Sequence, residues 1–149
     1  METVRIFDVR QNRVLTVETI NKTDEEWKKV LTKKQFEITT RKGTESPGSC
    51  AFAGVHEPGV FQCVRCRTDL FRSNTKFESG TGWPSFFEPV SPLNVKEQSD
   101  ISLGMMRTEV LCARCGSHLG HVFDDGPRPT GKRYCMNGFA LNFVAESNR

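Results

Sequence analysis

The chain has 149 residues and a formal net charge of +3, with 26% charged and 36% hydrophobic residues. That balance suits one globular domain with a single core and excludes a disordered tail. No apolar run approaches the roughly 18–20 residues needed to cross a membrane, and the opening METVRIFDVRQNR lacks the apolar stretch of a secretion signal, so a cytoplasmic protein is expected.

Residues 1–42 contain no Gly, Pro or Cys and carry ten Lys/Arg against seven Asp/Glu, whereas the remainder carries equal numbers of each sign. The cysteine-bearing part is therefore not basic. Nucleic acid is disfavoured as a partner, because phosphate contacts dominate that affinity. Residues 1–22 read as an N-terminal extension. Val4 and Ile6 alternate with polar neighbours, Gln11-Asn12 suits a turn, and Val14, Leu15 and Val17 follow, which suggests a hairpin; a loosely attached segment is the alternative. The main domain is expected over 23–149. Thr23 followed by Glu26 is a capping box, and Trp27, Val30 and Leu31 form one apolar helical stripe. A second short helix is expected over about 32–40, carrying Phe36 and Ile38.

Beyond residue 43, Gly and Pro punctuate short runs at 59–63, 107–112 and 138–143 that read as strands. In the last run Phe139, Leu141 and Phe143 share one face. The expected class is mainly β (α+β), fronted by one or two helices.

Cys63-Val64-Arg65-Cys66 and Cys112-Ala113-Arg114-Cys115 are two Cys-x-x-Cys knuckles. Together they supply the four thiolates of a closed structural zinc site. The alternatives are two disulfides or a redox dithiol. Disulfides are disfavoured in a cytosolic chain, and neither knuckle opens a helical pattern. The wide separation of the pairs suggests that the metal clamps two hairpins. A zinc with four thiolates keeps no open position, so chemistry must come from other residues.

Cys50 and Cys135 remain. In a strand Arg133, Cys135 and Asn137 share a face, and a guanidinium beside a thiol favours the thiolate. A buried structural cysteine beside a solvated Arg is the competing reading. His121 is a candidate acid that charges near neutrality, with Asp125 positioned to orient it; a hydrogen-bonded structural histidine is the alternative. His118 and His121 lack an obvious third metal ligand. Trp83 follows the Gly80-Thr81-Gly82 loop and either presents its indole to a ligand or packs in the core.

Taken in order, these motifs resemble the methionine-R-sulfoxide reductases of the B type. The matching stretches are Gly43-Thr44-Glu45, both cysteine pairs, Ser79-Gly80-Thr81-Gly82-Trp83-Pro84-Ser85-Phe86, His118-Leu119-Gly120-His121-Val122-Phe123 with Asp125, and Arg133-Tyr134-Cys135-Met136-Asn137. The resemblance runs from about residue 23 to 143. It implies two antiparallel sheets clamped by one structural zinc held by Cys63, Cys66, Cys112 and Cys115. It implies Cys135 as the catalytic cysteine, with His118, His121 and Asn137 as acid and substrate-oxygen contacts and Arg133 and Asp125 in support. Trp83 would cradle the substrate methyl group. Oxidised proteins or peptides are the implied substrates, and each sulfoxide epimer has its own reductase.

Thr81 stands where many members carry a resolving cysteine, and Gly138 where many carry Ser. Some members use a cysteine in the loop after Gly-Thr-Glu, which here is Cys50. The resemblance therefore implies a Cys135–Cys50 disulfide, reduced by a thioredoxin-type donor. Nothing in the sequence demands an oligomer, so a monomer is expected. Two other classes stand beside this one: a non-catalytic zinc-stabilised binding module, and a thiol peroxidase or redox sensor built on Cys135.

Overall fold

The computed structural model describes residues 2–41, 57–102 and 104–146. Gly43-Thr44-Glu45 and Cys50 lie outside the described residues. In chain order the elements are β1 (Thr3–Asp8), β2 (Arg13–Glu18), α1 (Asp24–Val30), α2 (Lys33–Arg41), β3 (Gly59–Cys63), β4 (Asp69–Arg72), β5 (Lys76–Phe77), β6 (Ser85–Phe86), β7 (Val95–Ser102), β8 (Met105–Cys112), β9 (His118–Phe123), β10 (Arg133–Met136) and β11 (Leu141–Ala145). They form a two-stranded β1–β2 hairpin, a six-stranded sheet in the order β5-β6-β10-β9-β8-β7, and a three-stranded sheet in the order β11-β3-β4. Every described pairing is antiparallel. The fold is thus mainly β with two N-terminal helices, as the punctuation of the sequence predicts.

The first hairpin is docked on the main body. Asn94 is fully buried. Its Nδ2 donates to the Phe7 and Asp69 carbonyls at 2.9 and 2.6 Å, and its Oδ1 accepts from the Phe7 N–H at 2.8 Å. One side-chain amide therefore joins β1 to β4, and Ile6 is buried beneath the strand.

Thr23 caps α1 and closes the capping box with Glu26. Of the expected stripe only Trp27 is buried; Val30 is 63% exposed, because a helix of seven residues presents barely two turns to the core. Thr32 and Gln35 repeat the device at the start of α2, with Thr32 Oγ1 accepting from Gln35 N–H and Gln35 Oε1 accepting from Thr32 N–H. Phe36 and Ile38 of α2 are both buried.

The run 138–143 is not one strand. Residues 138–140 form a 3-10 turn, closed by Ala140 N–H on the Asn137 carbonyl, and β11 begins only at Leu141. The strand face is therefore Leu141, Phe143 and Ala145, with Phe139 in the turn.

The two larger sheets meet across an aromatic core. Phe71 stacks on Phe86 at 4.5 Å between ring centroids, and Phe61 meets Phe86 edge-on at 5.1 Å. Such offset and edge-on pairs add to the gain from burial. Leu70, Val110, Leu119 and Met136 fill the remaining space. No helix among the described residues is long and apolar enough to cross a membrane.

Candidate functional site

Cys63 ends β3 in the three-stranded sheet and Cys112 ends β8 in the six-stranded sheet. Each strand runs into a turn of the same design. Arg67 N–H bonds the Cys63 carbonyl and Gly116 N–H bonds the Cys112 carbonyl, both at 2.9 Å. Cys63 and Cys112 N–H groups then bond the Thr68 and Ser117 carbonyls, again at 2.9 Å. Gly116 and Arg67 occupy the same left-handed position, with φ of 76° and 65°.

The four sulfurs lie within 4.8 Å of one another. Cys63 and Cys115 approach to 3.5 Å, and Cys66 and Cys112 to 3.6 Å. A disulfide needs about 2.05 Å, so these are not disulfides. Four thiolates at metal–sulfur distances of about 2.3 Å subtend tetrahedral edges of about 3.8 Å, and the cluster has that size. Burial pushes the Cys63 thiol well up. Its deprotonation, and hence the full donor set, calls for a cation. The residues present therefore fit a bound metal ion that ties the two sheets together.

The catalytic candidates lie on the six-stranded sheet. Cys135 on β10 faces His121 on β9 and Ser85 on β6 as direct cross-strand partners. Gly120, beside His121, lets the strands come this close: a Cβ there would stand 2.2 Å from the Cys135 carbonyl oxygen. A cavity of about 270 Å³ opens over this face, lined among others by Trp83, His121, Phe123, Arg133, Cys135 and Asn137. That is near the lower end for ligand pockets and suits a single side chain. Arg133, Cys135 and Asn137 thus share one face as their spacing predicts, and Trp83 is half-buried on the wall.

Burial pushes the Cys135 thiol up, outweighing the Arg133 charge and the Thr81 and Ser85 hydroxyls nearby, which favour the thiolate. Arg133 does favour the Cys135 thiolate, and the burial of the sulfur is the stronger influence. Thr81 is held by Ser79, with the two hydroxyl oxygens 2.7 Å apart.

Asp125 does not reach His121. It pairs with Arg133, accepting from Nε at 2.8 Å and from a terminal nitrogen at 3.1 Å, and Arg133 holds its carboxyl below the usual range. Arg133 in turn lies 4.4 Å from the Phe123 ring centroid. Asp125 therefore orients the guanidinium beside Cys135. His121 is instead held by Asp100 of β7, whose carboxylate lies 2.9 Å from Nε2 and 3.7 Å from Arg107. His118 is not on the cavity wall. It is buried, with Nδ1 2.7 Å from Glu109, and packs edge-on behind His121 at 5.5 Å.

Asp100 and Glu109 were not singled out by the sequence. Glu109 carried one signal, a carboxylate beside the apolar run Val110-Leu111-Cys112. Asp100 sits in the polar stretch Lys96-Glu97-Gln98-Ser99-Asp100 and carried none.

Comparison with known proteins decides the lineage: the SelR domain family matches residues 31–145. The chain belongs to that family. It is 55% identical over 127 residues to the peptide methionine sulfoxide reductase MsrB of Methanosarcina barkeri, covering 85% of this chain and 89% of that protein. The MsrB of Leptospira interrogans is 53% identical over 127 residues, covering 85% of this chain and 97% of its own length. The chloroplastic peptide methionine sulfoxide reductase B1 of Oryza sativa is 58% identical over 120 residues, spanning 80% of this chain and 56% of that protein. The SelR match ends at the last residue of β11 and leaves β1, β2 and α1 outside it.

Proposed function

We propose that this SelR family protein reduces methionine-R-sulfoxide in peptides and proteins to methionine. The observation that carries the reading is Cys135 on the wall of a side-chain-sized cavity, with the Arg133 guanidinium beside it and His121 directly across the strand pair. The names of the relatives point to the same chemistry.

A sulfoxide sulfur accepts a nucleophile only when its oxygen is protonated or hydrogen-bonded. Trp83 packs on the S-methyl and fixes which face of the sulfur is presented. Cys135 attacks that sulfur as its thiolate, while His121 gives the oxygen a proton. Attack joins the two sulfurs; the oxygen then forms its bond to the Cys135 sulfur as the original sulfur–oxygen bond and the sulfur–sulfur bond break, so that methionine leaves and Cys135 is left as a sulfenic acid. The sulfoxide gains the two electrons that the thiol loses, and the net proton of the thiol ends on the sulfenic oxygen. Arg133 and Asn137 stabilise charge around this exchange, and His118 with Glu109 supports His121 from behind.

The Cys50 thiol then displaces water from the sulfenic acid to form a Cys135–Cys50 disulfide, which a thioredoxin-type dithiol reduces. The protein works as a cytoplasmic monomer. Zinc, one ion per chain, would be held by Cys63, Cys66, Cys112 and Cys115, where it would tie the two sheets together and supply no catalytic step.

The test is steady-state reduction of a peptide carrying resolved R or S methionine sulfoxide, with dithiothreitol as donor. Turnover of the R epimer alone is expected. Folded, metal-loaded protein that reduces neither epimer would overturn the reading and favour the binding module. Equal turnover of peroxide and sulfoxide would favour a thiol peroxidase.

A further inference from the structure

We propose that Ser79, which is not among the residues lining the cavity, is a positioning residue that sets how strictly the cavity selects a methyl sulfoxide over a larger one. The inference deepens the reductase reading and rests on it.

Trp83 is carried by the stretch 79–83, which lies between β5 and β6 and belongs to no helix or strand. Gly80 and Gly82 both take left-handed φ, 77° and 86°. Side-chain hydroxyls hold this stretch in place of a backbone ladder. Ser79 Oγ lies 2.7 Å from Thr81 Oγ1, and it accepts from the Thr81 N–H at 3.3 Å and from the Ser85 hydroxyl at 2.9 Å. Ser79 is thus the hub of the three. The other two hydroxyls grip the Trp83 backbone on both sides. Thr81 Oγ1 accepts from the Trp83 N–H at 3.3 Å, and Ser85 Oγ donates to the Trp83 carbonyl at 3.1 Å. Ser85 has one proton for two acceptors, Ser79 and that carbonyl, so a change at Ser79 is felt at Trp83.

The other end of this knot is anchored beside the nucleophile. Ser85 is fully buried and is the direct cross-strand partner of Cys135. The Met136 N–H bonds the Pro84 carbonyl at 2.9 Å. The knot therefore ties the backbone of Trp83 to a fixed point next to Cys135.

That position matters because the Trp83 indole packs on the S-methyl group in the reductase reading. An indole held in place leaves room for a methyl and turns away an ethyl. An indole on a loose loop yields to either. One methylene in a shaped pocket is worth about 10- to 200-fold, and the supporting hydrogen bonds behind the wall decide how much of that is realised.

The experiment compares N-acetyl-methionine-R-sulfoxide with N-acetyl-ethionine-R-sulfoxide, which differ by one methylene, as substrates of wild type, Ser79→Ala and Ser79→Thr. Wild type is expected to favour the methyl sulfoxide by about tenfold or more in kcat/KM. Ser79→Ala should narrow the preference to within about threefold, and Ser79→Thr, which keeps the hydroxyl, should restore it. The ratio does not depend on how much of a variant is folded, so a purely structural defect would slow both substrates alike. An unchanged ratio in Ser79→Ala, or a wild type without the preference, overturns the inference. Trp83 fluorescence, isolated by Trp27→Phe, gives a readout free of chemistry. Acrylamide should quench it more strongly in Ser79→Ala than with Ser79 in place, and equal quenching overturns the inference too. Wild type that reduces neither substrate would instead bring down the reductase reading, while the quenching still judges the knot.

Discussion

Cys135 is pulled in two directions. Arg133, Thr81 and Ser85 favour its thiolate, and burial disfavours it more strongly. A thiol raised above its ordinary value is protonated at neutral pH and gains thiolate only as pH rises. Alkylation of Cys135 by iodoacetamide should therefore accelerate with pH and reach its midpoint above that of a free cysteine. Arg133→Met removes a lowering influence, so its midpoint should lie higher still. A midpoint below the free-cysteine value, or one indifferent to Arg133, would contradict the electrostatics. Asp100 acts through His121 and is a positioning residue. Asp100→Asn should lower kcat by roughly 10- to 100-fold, a fraction of what a general acid contributes, with KM little changed. Asp100→Glu should recover part of the loss. A wild-type kcat in Asp100→Asn would show that the ring is oriented without it.

At the scale of elements, the close pairing of β9 and β10 and the paired cysteine turns decide the site. Gly120 sits where any side chain would meet the backbone of Cys135 and Met136. Gly120→Ala must part the two strands that carry His121 and Cys135. Overpacking of this kind costs about 1–3 kcal/mol, so Tm should drop by several degrees and turnover should fall with it. Calorimetry and the R-sulfoxide assay check both, and an alanine variant with unchanged activity would show that the strand spacing is not critical. The cysteine turns were legible in the sequence because each is local: two sulfurs, a left-handed residue and a return strand within six positions. So was the Thr23–Glu26 capping box, whereas the Thr32–Gln35 pair went unread. Less legible was the use of the intervening arginines. Arg65 donates to Thr39 and Thr40 of α2 and lies over Trp27, whereas Arg114 donates to the Glu18 carbonyl beside β2. The knuckles thus also tie down both N-terminal elements, contacts that no spacing rule foretells.

For the whole molecule, sequence pattern reports faces of elements but not which strands become neighbours. Arg133 and Cys135 were found because they alternate on one strand, and Asn137 because the chain stays extended for one residue past its end. Asp100 was missed, and Asp125 assigned to the wrong partner, because His121 meets whatever the β9-β8-β7 order brings alongside. The start of β11 was misplaced because a 3-10 turn keeps the apolar character of a strand without its extension. The clamp between sheets is a whole-molecule feature too. Cys112→Ser should release the single bound ion, read by native mass spectrometry, and lower Tm, since metal binding at a structural site is folding free energy. Affinity for the ion should weaken as pH falls, because protons compete for thiols that burial already pushes up, Cys63 foremost. Retention of the ion by Cys112→Ser would refute the four-cysteine assignment.

The central claim is that the Cys135 sulfur takes the oxygen. Reduced protein, mixed without any reductant with a peptide carrying resolved methionine sulfoxide, tests it in a single turnover. The account predicts methionine released from the R epimer in proportion to enzyme, oxidation confined to Cys135 and its partner thiol, and no release from Cys135→Ser. Methionine formed by Cys135→Ser, or equally from the S epimer, would contradict it.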